Sequence, residues 1–188
     1  MRKSNGFSAR QLTNSDLHPL LCGVALNNAQ QRQFKQTYSE ANEDAAKLVG
    51  LSQYKEASEE VKAKAVNFIY DVYYNRALEK LLGIELDNKA VLFSKSLDVP
   101  KLAIILMTAQ SLTADKDKNG KSISGTKKAK VQTYINSLNL SAAQKYMIMG
   151  YLGYSNKNGS SQVKAYIQGL QLSKMQKEQL YAYSGYAA

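Results

Sequence analysis

The sequence predicts an all-α protein in which two long N-terminal helices precede two or three stacked helix hairpins. Three observations carry this expectation. Helix formers are abundant, prolines number only 2, and no long β-branched run interrupts the 188 residues. Apolar residues recur at three-to-four spacing through most of the chain. The last third is written twice: residues 131–154 (VQTYINSLNLSAAQKYMIMGYLGY) and 163–186 (VKAYIQGLQLSKMQKEQLYAYSGY) agree, at an offset of 32, at 11 positions. Among these are Tyr134/Tyr166, Ile135/Ile167, Ser141/Ser173, Gln144/Gln176, Lys145/Lys177, Tyr151/Tyr183 and Gly153/Gly185. Duplication at this period is the mark of supersecondary units that bury their apolar faces against one another.

The elements follow in order. Residues 1–26 read as a polar arm plus a short helix between Ser15 and Gly23. The helical region 27–112 opens at Asn27 or Asn28, with Phe34, Tyr38, Ala41, Ala45 and Leu48 on one face and Gly50 as the stop. Residues 51–54 read as a short turn that sends apolar side chains inward. Ser58 followed by Glu59 and Glu60 is a strong helix start, because a hydroxyl accepts orphan N–H groups and acids complement the positive end of the helix dipole. That helix is expected to run to Leu82 and stop at Gly83. Asp87 or Asn88 opens the next helix. The run Ser96-Leu97-Asp98-Val99-Pro100 then parallels Ser137-Leu138-Asn139-Leu140-Ser141. Residues 88–112 are therefore read as a degenerate first copy. Residues 113–126 form a basic loop, and 127–188 the two clear copies. In these, the first helices run to Leu138 and Leu170 and the second end at Gly153 and Gly185. The whole is expected to be one domain.

Composition excludes several function classes. Cys22 is the only cysteine and His18 the only histidine, which removes an internal disulfide framework and a multi-histidine or cysteine metal centre. The two lie close in sequence, yet no Gly-rich oxyanion turn accompanies them, so they read as a buried thiol beside a loop histidine. No apolar run is long enough to span a bilayer; the longest, LAIILM at 102–107, reads as a buried helix turn. No signal peptide is recognised in residues 17–26, which His18, Pro19 and Gly23 interrupt. No acid/base pair, nucleophile constellation or cofactor loop is visible, so the expected function is non-enzymatic with no cofactor.

The net charge of +10 is unevenly spread. Residues 1–112 carry 14 basic against 12 acidic side chains, whereas residues 113–188 carry 11 lysines against 3 acids. The excess points to an anionic partner, either a nucleic-acid backbone or an acidic protein surface. Lys116, Lys118, Lys121, Lys127, Lys128 and Lys130 cluster beside glycines and serines ahead of a helix start, a setting in which N–H groups and ammonium charges meet phosphate oxygens. Lys145 and Lys177, which recur with the repeat, complete the candidate anion set. The loop is not a P-loop, since Gly120 and Gly125 are followed by Thr126-Lys127 in reversed order.

Asp115, Asp117 and Asn119, with Gly120, match the first half of a calcium loop, but Thr126 stands where the bidentate Glu belongs and the lysines oppose a cation. An Asx turn explains the same residues. Eight of the 13 tyrosines lie in 113–188; stacking on bases competes with packing between helices, and their recurrence with the repeat favours packing. No arginine follows Arg76, so contact with DNA is expected to read phosphates rather than base edges.

The run KNGKSISGTKKAKVQTYINSLNLSAAQK at 118–145, and the earlier YKEASEEVKAKA at 54–65 followed by Ile69-Tyr70, resemble helical segments of large virion-associated proteins of tailed phages and prophages of Gram-positive bacteria. The resemblance covers about residues 30–186, and in those proteins the segment belongs to a much longer chain. It implies a structural or interaction role in a virion or host cytoplasm, transfers no catalytic residue, and leaves self-association open. A small host-directed inhibitor that occupies a nuclease in anti-defence is the alternative, and a DNA-binding regulator the third.

Overall fold

A computed structural model describes residues 26–187. The expected arm and short helix over 1–26, with Cys22 and His18, lie outside the described residues apart from Leu26. The chain divides into two compact units, split between Leu86 and Asp87. Among the described residues there are nine α-helices and no strand, so the fold is all-α. None of these helices is long and apolar enough to cross a membrane.

The first unit is built on α1 (Asn28–Gly50), α2 (Ser52–Glu56) and α3 (Glu59–Leu82). Asn27 caps α1 in a reciprocal box: its Oδ1 accepts the Gln30 N–H at 2.9 Å while Gln30 Oε1 accepts its own N–H at 3.0 Å. Phe34, Ala41, Ala45 and Leu48 form the buried stripe at helical spacing. Gly50 is the last helical residue rather than the cap; extended Leu51 ends the helix, donating its N–H to Leu48. Residues 52–56 take one helical turn, α2, that buries Tyr54. Ser58 starts α3 and Gly83, at φ 63°, stops it, as the sequence requires.

Phe34 meets Ala77 and Asn42 meets Tyr70, so α1 and α3 run antiparallel. Within their apolar seam the Tyr70 hydroxyl donates to Asn42, and three residues on the Tyr73 hydroxyl donates to Asp44 at 2.5 Å. Burying a phenol is tolerable only with such a partner, and the pair of bonds ties the two helices in one register.

The second unit contains α4 (Lys89–Ser94), α5 (Val99–Ser111), α6 (Thr126–Asn136), α7 (Ala142–Tyr151), α8 (Ser160–Gln168) and α9 (Lys174–Tyr183), with a 3₁₀ turn at Lys157–Gly159. α5 is its centre. Leu102, Ala103, Ile104, Ile105, Leu106 and Ala109 are buried almost all round the helix, and Asp98 caps it ahead of Pro100. α6 packs on α5, and then α7 on α6, α8 on α7 and α9 on α8; α9 also meets α4.

The duplicated sequences take the same local structure. Ser141 and Ser173 accept the Gln144 and Gln176 N–H groups at 3.2 and 3.1 Å. Leu140 and Leu172 each donate two residues back, to Leu138 and Leu170, at 3.0 Å. This tight turn ends the first helices at Asn136 and Gln168, two residues short of the leucines expected to close them. Val131/Val163, Ile135/Ile167 and Ile148/Leu180 are buried in pairs. Gly153 and Gly185, at φ 92° and 96°, lie just beyond the second helices. In the upstream pair, Ser96 Oγ donates to Phe93 as Ser137 Oγ donates to Tyr134. There, however, the cap Asp98 follows Ser96 by two residues, not the four that separate Ser137 from Ser141, and the tight leucine turn is missing.

Two adjacent segments meet the repeat at one position. Tyr183 donates to Asp87 at 2.7 Å. Its counterpart Tyr151 has Lys89 over its ring at 4.1 Å, accepts from that ammonium through its carbonyl, and packs edge-on against Phe93. Burial lowers the Lys89 pKa and raises that of Tyr151, while the hydrogen bond to Asp87 is the main cause that raises Tyr183.

Two outcomes follow from this packing. A Cβ on Gly150 would lie 1.9 Å from the Ser184 carbonyl oxygen, so Gly150→Ala is expected to cost about 3 kcal/mol by urea unfolding. Ala182→Gly at the matching, exposed position is expected to cost no more than about 1 kcal/mol.

Tyr73, Tyr134, Tyr151 and Tyr183 all have pKa values raised above the ordinary 10.0, chiefly by burial in the first three. A raised acid pKa contributes stability that is whole below 10.0 and lost as pH climbs through the folded values. Tyrosinate absorbance should therefore rise late, together with loss of helical circular dichroism. Titration of all the tyrosines at their ordinary value in a still-folded protein would contradict this.

Candidate polyanion-binding loop

Residues 113–126 form a small hairpin that leads into α6. Its tip, 117–121, is a tight turn closed by a glycine in the left-handed region. The Gly120 N–H donates to the Asp117 carbonyl at 2.9 Å, the Asp117 N–H to Lys121 at 2.8 Å, and Gly120 takes φ 77°. Asp117 Oδ1 accepts the N–H groups of Asn119 and Lys121 at 2.8 and 3.0 Å. One bridge, Lys116 to Ser122, continues the pairing.

Thr126 pins the neck. Its Oγ1 accepts the Asp115 N–H at 2.8 Å and donates to the Ile123 carbonyl at 2.9 Å, while the Ile123 N–H donates to Asp115 at 2.6 Å. Lys130, one turn into α6, holds the Asp115 carboxylate at 2.6 Å and the Thr113 carbonyl at 3.2 Å.

Both carboxylates of the calcium-loop candidate are engaged within the hairpin. Asp115 is turned to Lys130, and Asp117 accepts N–H groups of its own turn. Among the described residues no group of three or more His, Cys, Asp or Glu is placed to hold a metal ion. The Asx-turn reading accounts for Asp117.

The eight candidate lysines fall into two kinds. Lys116, Lys118, Lys121, Lys127 and Lys128 are exposed and make no ion pair or side-chain hydrogen bond with another described residue. Lys130 is spent on the neck. Lys145 and Lys177 are half-buried and belong elsewhere: their ammonium groups donate to Asn136 and Gln168 at 3.1 and 2.9 Å, the last carbonyls of α6 and α8. A cation at a helix C-terminus satisfies orphan carbonyls and complements the dipole. Lys145 therefore sits at the end of α6 opposite the loop, roughly 15 Å away for an 11-residue helix.

Like α2 and α8, α6 begins without a side-chain cap. Gly125, at φ 81°, offers no side chain to cap it, no acid lies in its first turn, and Lys127 and Lys128 occupy that turn instead. α1, α3, α4, α5, α7 and α9 each begin with a side-chain cap. Two ammonium groups at the positive end of a helix dipole are mutually and locally repulsive.

The tyrosines are used in packing. None of the eight in 113–188 is fully exposed. Tyr166 donates to the Ser96 carbonyl and accepts from Gln144 at 3.2 Å, and Tyr186 donates to Asn156 at 2.7 Å. Their hydroxyls or rings are engaged within the unit at Tyr151, Tyr166, Tyr181, Tyr183 and Tyr186.

Thr126 as the neck pin, and the Asp87–Tyr183 and Lys89–Tyr151 pairs, were not found by sequence reasoning. Thr126 had registered only as a failed calcium ligand, and Asp87 only as a possible cap. No family model, curated protein or solved structure matches the chain.

The two kinds of lysine are separable by mutation. Lys145→Met and Lys177→Met should each lower stability by up to about 1 kcal/mol and leave anion affinity unchanged. Weakened polyanion binding in either stably folded variant would return it to the anion site.

Proposed function

We propose that the chain is a non-enzymatic structural or interaction protein whose loop 113–126 and α6 N-terminus contact a nucleic-acid backbone without reading sequence. The observation that carries this reading is the uncapped, doubly basic first turn of α6 beside three further exposed lysines. Phosphate oxygens there meet open N–H groups and ammonium charges together, and they relieve the repulsion that the free protein bears. The charge balance agrees: residues 87–188 carry 14 basic and 5 acidic side chains. The lack of arginine beyond Arg76 and the packed tyrosines argue against base readout and stacking. The resemblance to virion-associated proteins of tailed phages supplies the setting, a particle or infected host in which such a contact is useful.

The test is binding to random duplex DNA as salt is raised. Five phosphate contacts give a log–log slope of about −4.5. Reversing Lys116, Lys118, Lys121, Lys127 and Lys128 to Glu should abolish binding while leaving the helical spectrum unchanged. No binding by the wild-type chain at low salt, or unchanged binding by the reversed variant, would remove the proposal.

A further inference from the structure

We propose that Asn119 is a site of spontaneous modification, at which the Asn119–Gly120 bond rearranges through a succinimide to aspartate and isoaspartate. The chemistry needs no enzyme or oxidant. The Gly120 backbone nitrogen attacks Asn119 Cγ, giving up its proton to water as the N–Cγ bond forms. The side-chain amide nitrogen leaves as ammonia, and water then opens the ring at either carbonyl.

Three features of the hairpin tip favour the step. Gly120 is open: it has no side chain, and a Cβ placed there would meet nothing within 4 Å, so the backbone has room to swing toward Asn119 Cγ. Asn119 and both its neighbours are exposed, so solvent base has access. Lys118 and Lys121 flank the bond, and their positive charge favours the anion that develops as the amide is deprotonated and the tetrahedral adduct forms. The bond from the Gly120 N–H to Asp117 must open first, and an exposed turn opens at low cost.

A second Asn–Gly pair serves as an internal control. Asn158–Gly159 lies in the 3₁₀ turn, Gly159 is buried, and a Cβ there would stand 2.3 Å from the Tyr146 ring. The backbone cannot swing into a five-membered ring at that place without displacing Tyr146. A third pair, Asn5–Gly6, lies outside the described residues, and its peptide maps separately.

Conversion changes the loop in two ways. Residues 113–130 carry 6 lysines and 2 aspartates, a balance of +4 that falls to +3. Isoaspartate also adds a backbone atom to the turn, which no longer matches the pairing of Asp117 with Lys121.

The experiment holds the full folded chain at mildly alkaline pH beside a sample in concentrated urea and maps isoaspartate by peptide. In urea both Asn119 and Asn158 should convert at comparable rates. In the folded chain Asn119 should convert at least about tenfold faster than Asn158, the scale set by local protection. Asn119→Gln should abolish conversion at the hairpin, because closure through one more methylene is slow. The proposal is overturned if Asn119 stays intact in the folded chain, if Asn158 keeps pace with it there, or if neither converts in urea.

Discussion

The second unit depends on how residues 87–89 hold the two copies of the hairpin. Tyr151 and Tyr183 occupy the same repeat position, and each is gripped by this short segment, one by Lys89 and the other by Asp87. A helix hairpin of this size cannot bury its apolar face alone. Two copies bury most of it against each other, and α5 covers the first. The last helix would still present an open side. α9 instead meets α4, so the row of helices closes where the unit's chain begins. The charges used are well matched to their sites. The half-buried ammonium lies over a ring and against a helix-end carbonyl, so it is not left without a partner, while an exposed carboxylate faces a phenol.

Closure explains why the copies differ where they do. Hydrogen bonds that shape each hairpin are repeated, because the turn chemistry is local and the same in both. Residues that face a neighbour are free to diverge, because the neighbours differ. Gly150 admits the Ser184 backbone where a methyl would clash, whereas Ala182 at the same position meets solvent. Gln144 reaches Tyr166 in the next copy. The side-chain nitrogen of Gln176, at the same repeat position, is instead buried without a partner. The repeat thus keeps its serine caps and leucine turns, while the reciprocal capping box forms only at Ser141 and the packing differs between the copies.

The fold was legible in the sequence where the determinant is local. Ser58, Glu59 and Gly83 delimit α3, and Ser141, Ser173, Gly153 and Gly185 set the frame of the repeat, because caps and left-handed glycines act on adjacent backbone. Gly50 misled, since a glycine fits a helix end in more than one way and Leu51 carries the extended conformation here. Lys145 and Lys177 were legible as recurrent lysines but not as helix-end donors, because the partner carbonyls lie nine residues back across a turn. Asp87 and Tyr183 stand 96 residues apart, and no periodicity links them. At the loop, charge was legible while its division into structural and free lysines was not; that requires knowing where Asp115 and the helix-end carbonyls fall.

That division bears on what the loop is for. A lysine that holds a carbonyl or carboxylate loses its side-chain freedom and has a reason to be present in the isolated protein. Lys130, Lys145 and Lys177 have such reasons. Lys116, Lys118, Lys121, Lys127 and Lys128 do not, and two of them worsen the start of the helix they occupy. The hairpin that carries the other three is itself tightly specified, with Thr126, Asp115 and Lys130 at its neck and Asp117 and Gly120 at its tip. The hairpin thus holds unneutralised charge at the surface of the unit. In the proposed reading a bound anion offsets the cost to the helix start, which is why the reading rests on α6 and not on the total charge.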